Sequence, residues 1–180
     1  TSGLLNQLNL IGVKKIENLN YNWLKIEMKE KYNNKSLALF IPGTSRKANY
    51  KKWQSEKFAE VAKYYANLGF VICVVGAHGD SKDVLPILNI GKNVVNKVDQ
   101  SPPEVIYSLS LKSSIIISND TGPGHIATLA KKNIIWIANN NKISLANLGH
   151  GNHIYKILAP SVKNITVKEV INFIEKNNLY

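Results

Sequence analysis

The residues with the most chemistry per position form one short run, Ser118-Asn119-Asp120-Thr121-Gly122-Pro123-Gly124-His125. It offers a carboxylate, a hydroxyl and an imidazole among glycines. Ser113-Ser114-Ile115-Ile116-Ile117 precedes it and reads as a short buried strand. Ile126-Ala127-Thr128-Leu129-Ala130 follows and reads as a helix. A strand therefore ends, the chain turns and a helix begins. Pro123 suits the first helical turn, where its missing N–H would be unpaired anyway. Thr121, Gly122 and Gly124 keep the turn small enough for a ligand to touch bare backbone. Unpaired N–H groups at a helix start, beside a hydroxyl and an imidazole, make a seat for phosphate.

The elements that must position this turn alternate along the chain. From residue 37 onward, apolar β-branched runs at Leu37–Ile41, Phe70–Val75, Ile115–Ile117, Asn133–Ala138 and Ile154–Leu158 predict strands, with a weaker one at Val94-Val95. Between them, Phe58, Val61, Ala62 and Tyr65 fall at i, i+3, i+4 and i+7 and predict one helix face, with Gly69 as its C-terminal cap. Further helices are expected over Lys82–Leu88, over about 102–110 behind a Ser101-x-x-Glu104 capping box, and from Thr166 behind a second capping box with Glu169. Thr44 to Lys52 and Asn139 to His153 read as polar loops. Residues 1–36 are expected to be a lead-in or linker, with helical spacing at Leu4, Leu5, Leu8 and Ile11 and a second helix around Trp23–Met28. Residues 37–180 form the domain proper. Continuous apolar strands alternating with helices imply a parallel sheet covered on both faces, a doubly wound Rossmann-like α/β fold.

In the common doubly wound order, 3-2-1-4-5-6, the first and fourth strands are neighbours at the point where ligands bind. The first strand empties into Pro42-Gly43-Thr44-Ser45, the fourth into Asn119-Asp120-Thr121-Gly122. Two small, hydroxylated, glycine-bearing loops thus face each other across one crevice, and Lys51 or Lys52 adds cationic charge. The ligand such a crevice suits carries phosphates. No Gly-x-x-x-x-Gly-Lys-Ser/Thr loop and no Gly-x-Gly-x-x-Gly after the first strand is present. No paired carboxylates or His-x-His pattern offers a metal site, so lysine, hydroxyls and helix N–H groups must neutralise a diphosphate.

Composition adds bounds. At 180 residues and 44% hydrophobic, the chain can bury a core of its own. No run of 18 apolar residues and no charged-then-apolar leader pattern occurs. The single Cys73 sits in an apolar run and excludes a disulfide framework, which points to a buried thiol and a cytoplasmic setting. The net charge of +11 is spread over many lysines with Arg46 as the only arginine, without clustered aromatic platforms. That argues against nucleic acid and leaves a peripheral contact with an anionic membrane surface as an expectation. The sequence begins at Thr1 and has Met28 as its only methionine, so either a leader was trimmed or the chain is part of a longer protein.

Taken together, Pro42-Gly43-Thr44-Ser45, then Lys51-x-Trp53, then Asn119-Asp120-Thr121-Gly122-Pro123-x-His125 resemble glycosyltransferase family 9, the heptosyltransferases of lipopolysaccharide synthesis. The resemblance covers about residues 37–138. It implies one half of a GT-B architecture, the C-terminal domain that binds the sugar-nucleotide donor, with the acceptor's catalytic base in an N-terminal domain. It further implies that Thr44 and Ser45 contact the donor phosphates and that Lys51 neutralises the diphosphate. Thr121 and Gly122 would hold phosphate with His125 nearby, while Asp120 binds the donor sugar or braces its loop. The implied donor is a nucleotide diphosphate sugar, ADP-sugar first, used without a metal cofactor. The implied acceptor is lipid-linked or another glycan. The final helix, 166–177, is expected to reach back toward the N-terminal domain, leaving part of its apolar face exposed.

This sequence departs from the family pattern at three places. The loop from Thr44 to Lys51 is longer, which keeps Lys52 as the alternative to Lys51. An acidic residue near the donor ribose is replaced by Gly76-Ala77-His78-Gly79-Asp80, where Asp80 can stand in. A Gly-Pro-Thr element becomes Asn139-Asn140-Asn141-Lys142. Plainer roles compete at each position: Asp120 as a helix cap, Thr44, Ser45, Thr121 and Gly122 as turn residues, His125 and Trp53 as packing, Lys51 as a solvated lysine, and His150 and His153 as surface histidines. Two other functions stand beside glycosyl transfer: a non-catalytic nucleotide-sugar or phosphate-binding module, and a GT-B-like sugar-nucleotide epimerase.

Overall fold

Six apolar runs become strands: β1 Leu37–Ile41, β2 Val71–Gly76, β3 Val94–Val98, β4 Ile115–Asn119, β5 Asn133–Asn139 and β6 Ile154–Ala159. In the computed structural model, which describes residues 7–13, 20–28, 35–91 and 93–180, they pair in the order β3-β2-β1-β4-β5-β6, every pair parallel. That is the doubly wound order expected from the alternation of elements, and it puts β1 beside β4.

The helices are α1 Ser55–Asn67, α2 Ser81–Leu88, α3 Pro103–Lys112, α4 Gly122–Thr128, α5 Lys142–Asn147 and α6 Val167–Lys176. Alternate strand residues feed two cores, as a pleated sheet buried on both sides requires. Phe40, Ile72, Val74, Ile117 and Ile135 pack with Phe58, Val61 and Tyr65 of α1, Val84 and Ile87 of α2, and Val170 and Ile174 of α6. Leu39, Cys73, Ile116, Ile134 and Trp136 point the other way, onto Ile106 and Leu109 of α3, Ala127 of α4, and Leu148. Each large apolar side chain so buried contributes about 1.5–3 kcal/mol relative to exposure. Cys73 is a fully buried core thiol, as its apolar run predicts.

Several local expectations change. Ser101 does not cap α3: its hydroxyl donates instead to the Gly76 carbonyl at the end of β2, 3.4 Å away, and α3 starts behind Pro102. The stretch Asn139 to His153 is not all loop. Asn141 accepts a hydrogen bond from Ser144 N, a side-chain cap that starts α5. The Trp23–Met28 helix reduces to a 3-10 turn, Asn22–Leu24; Leu24 packs on Tyr107 and Ala130, and Ile26 N donates to Ser108 Oγ. Leu4 and Leu5 lie outside the described residues, while 7–10 are helical. The capping box of α6 forms as read, with Glu169 N donating to Thr166 Oγ1 and Thr166 N to Glu169 Oε2. The apolar face of α6 docks on its own lobe: Val170 and Ile174 are fully buried, Ile171 is half-buried, and Tyr65 Oη donates to the Leu179 carbonyl just beyond. Gly69 closes α1 with φ +90°, a conformation that favours glycine.

Candidate functional site

The site starts from an amide. Asn119 is the last residue of β4, completely buried, and its side chain reaches across to the loop after β1. Its Nδ2 donates to the Pro42 carbonyl at 2.7 Å and its Oδ1 accepts from Trp53 N at 3.1 Å. One buried side chain thus fixes both ends of the 42–53 loop against β4. Asn139, at the end of β5, repeats the device by donating to the Tyr50 carbonyl. Trp53 itself is structural, as expected: it is fully buried, donates through Nε1 to the Ile165 carbonyl, and stands edge-on to Phe58.

With the loop held, consecutive lysines part company. Residues 46–51 form a 3-10 turn rather than an open loop, and Lys52 follows in extended conformation. Lys51 Nζ lies 2.7 Å from Asp120 Oδ2, whereas Lys52 Nζ pairs with Asp83 of α2. Asp120 is not the cap of α4; Thr121 occupies that position, and its side chain makes no capping bond. Asp120 instead lies between Lys51 and His125, with His125 Nε2 3.3 Å from its Oδ1. The hydrogen bond from His125 is the first cause holding the Asp120 carboxyl down at about 2, from the ordinary 3.8. Lys51 adds to it, and desolvation by burial opposes both. The His125 ring also rests on Trp136, with ring centroids 5.0 Å apart, so packing and polar contact coexist there.

The glycines of the octet divide their labour. At Gly122 an added Cβ would meet nothing within 4 Å, so this backbone is open to a ligand. At Gly124 it would meet Ser118 Oγ at 2.4 Å and the Trp136 ring at 2.6 Å. Gly124 is therefore a packing position that lets α4 sit down on β4 and β5, not a ligand-facing one. Helix α4 spans only seven residues, so its contribution to anion binding comes from first-turn N–H groups rather than from a long dipole.

Two cavities meet at this turn. The larger, about 700 Å³, lies over β1 and β2 and is lined by Thr44, Lys52, Gly76, Asp80 and Asp83. The smaller, about 220 Å³, lies beyond the end of β4 between Lys51, Asp120, His125 and Asn147. Ser45, Thr121 and Gly122 line both. The structure thus brings all seven sequence-predicted residues, Thr44, Ser45, Lys51, Asp120, Thr121, Gly122 and His125, to one rim. Thr44 Oγ1 is buried there without a hydrogen-bond partner among the described residues, a costly state unless something else satisfies it. Asp80 Oδ2 accepts from Ala77 N, and its carboxylate lies so close to Gly43 that an added Cβ there would fall 2.4 Å from it. His150 and His153 line neither cavity, and no group of three His, Cys, Asp or Glu among the described residues is placed to hold a metal.

Sequence reasoning missed Asn119 as the loop anchor, Asp83 as the partner of Lys52, and Asn147 as a wall of the smaller cavity. Asn119 stood inside the octet, and its position at a strand end beside the switch point was the available signal. Asn147 was hidden because its helix was read as loop.

Comparison with solved structures gives the same lobe. Escherichia coli ADP-heptose LPS heptosyltransferase II superposes with a TM-score of 0.68 at 20% identity, over 81% of this chain and 46% of that one. A glycosyl transferase family 9 protein from Veillonella parvula gives 0.75 at 17% identity, over 95% and 57%. Escherichia coli heptosyltransferase WaaC with ADP gives 0.68 at 22% identity, over 79% and 44%. The chain thus spans about half the length of these proteins, matching a Rossmann-like lobe of the GT-B kind. Comparison with curated proteins finds no match. Residues 15–137 match the sequence profile of glycosyltransferase family 9 (heptosyltransferase), and they include β1 to β4, the 42–53 loop and the Asp120–His125 turn. This chain belongs to glycosyltransferase family 9, the heptosyltransferase family.

Proposed function

We propose that this lobe binds a nucleoside diphosphate sugar, ADP-sugar first, and serves as the donor half of a glycosyl transfer to a lipopolysaccharide-type or other glycan acceptor. The observation that carries the reading is the meeting of two unlike cavities at Ser45, Thr121 and Gly122. A diphosphate at that junction places the nucleoside in the larger space and the sugar in the smaller, polar one. Thr44 then finds an acceptor for its orphaned hydroxyl, and Lys51 stands within reach of both phosphate and sugar. Solved WaaC structures with ADP and with ADP-2-deoxy-2-fluoro heptose support the ligand class.

In transfer, negative charge grows on the diphosphate as the glycosidic bond breaks. Lys51 and the N–H groups opening α4 are preorganised to meet that charge, the term that usually dominates catalysis. The base that takes the acceptor's proton is assigned to a domain outside this chain. No helix among the described residues is long and apolar enough to cross a membrane, and the net charge of +11 supports a peripheral contact with an anionic surface. Calorimetric titration with ADP, ADP-heptose and UDP-glucose in the presence of EDTA tests the reading. Binding of the ADP ligands, weakened about 10- to 100-fold by Lys51→Ala and less by Thr121→Ala, is expected from the loss of a charged hydrogen bond. No binding of any nucleotide, or binding indifferent to both substitutions, refutes it.

A further inference from the structure

The smaller cavity has a wall that the family motifs do not supply. The rest of its lining comes from the loop after β1 and the turn into α4, but one residue comes from elsewhere, Asn147, the last residue of α5. That residue is held in place on both sides. Three positions before it, Ser144 is buried and donates its N–H to the Asn141 cap; immediately after it, Leu148 is buried against the sheet. Gly149, at φ +72°, then turns the chain, and Lys156 Nζ of β6 donates to its carbonyl. Asn147 is exposed, and its amide forms no hydrogen bond with any described residue, so it is free to pair with a ligand in the cavity it lines.

The chemistry around this space is uniform. It presents an ammonium, a carboxylate, an imidazole, an amide and hydroxyls, with Ala48 the one apolar side chain in the lining. We propose that Asn147 is a specificity-determining residue for the transferred sugar, its amide pairing with a ring hydroxyl on the side of the sugar opposite Asp120. Helix α5 is then the element that decides which sugar the lobe accepts. This rests on the nucleotide-sugar reading above.

The test separates the two ideas. The chain and its Asn147→Ala variant are titrated with ADP and with ADP-glucose, ADP-mannose and ADP-heptose, and the ratio of ADP-sugar to ADP affinity is compared. The ADP affinity is expected to stay within about twofold, while the ratio for the best-bound ADP-sugar falls about three- to tenfold, the range of one net hydrogen bond. Lys142→Ala, on the same helix and outside the cavity, is expected to change neither. An unchanged ratio, or an equal loss for ADP and every ADP-sugar, overturns the role of Asn147 while leaving nucleotide binding intact. Failure of the unaltered chain to bind ADP or any ADP-sugar overturns both.

Discussion

Asp120 offers the sharpest check on the electrostatics of the site. Its carboxyl is held at about 2, from the ordinary 3.8, by His125 first and then by Lys51. The folded state therefore favours the ionised form, and the stability this supplies is fully present above pH 3.8. It is lost as the pH falls from 3.8 through 2. The interval is worth about 2 kcal/mol, at ~1.36 kcal/mol per tenfold change in proton affinity. The side chain of Asp120 is only 3% exposed, but Lys51 is 18% and His125 40% exposed, so solvent screening reduces the expected effect to about 1–2 kcal/mol. Urea unfolding of the chain and of Asp120→Asn at pH 7, 5, 4 and 3 reads this directly. The variant should be less stable by about 1–2 kcal/mol at pH 7, and the gap should close steadily below pH 4. A gap that does not change with pH, or a variant as stable as the parent at pH 7, refutes the assignment of Lys51 and His125 as partners of an ionised Asp120.

Two further outcomes follow from the glycines and from the orphaned hydroxyl. Gly124→Ala must push aside Ser118 and Trp136, an overpacking cost of about 1–3 kcal/mol offset by roughly 1 kcal/mol of helix propensity, whereas Gly122→Ala meets no neighbour. Thermal unfolding should therefore place Gly124→Ala below Gly122→Ala by a few degrees, while ADP titration should show the reverse order of damage; equal melting points count against the packing role. Thr44→Val removes a buried, unpaired hydroxyl and should leave the ligand-free chain as stable or more stable by up to about 1 kcal/mol, while weakening ADP binding; a clear loss of stability means the hydroxyl has a partner.

The sheet was legible because its strands are buried on both faces and so appear as unbroken apolar runs, as at Phe70–Val75 and Ile115–Ile117. Strand order then follows from general topology, and it brings Thr44 opposite Thr121. What stayed hidden were interactions between side chains far apart in sequence. Ser101-x-x-Glu104 satisfies the capping pattern, yet the Gly76 carbonyl competes for the same hydroxyl, and only the fold brings that carbonyl near. Helix α5 spans only six residues, too short for periodicity to reveal, and its cap at Asn141 looked like one more asparagine in a polar stretch. The pairing of Lys51 with Asp120 and of Lys52 with Asp83 depends on backbone direction within a 3-10 turn, which composition does not encode.

The anchoring of Trp53 by Asn119 has a consequence for how relatives of this lobe are compared. Because the indole is immobilised in the core and the Trp53 backbone N–H donates to Asn119 of β4, the chain is pinned at the end of the 42–53 loop, just after the lysines. The two lysines therefore sit one and two steps before the pin, whatever happens toward Ser45. Lys51 closes the 3-10 turn and Lys52 leaves it in extended backbone, so the end of the turn sends one lysine to Asp120 and the next to Asp83. The lysines of related chains are therefore best aligned by counting backward from the tryptophan, not forward from the threonine, whatever the length of the loop between them.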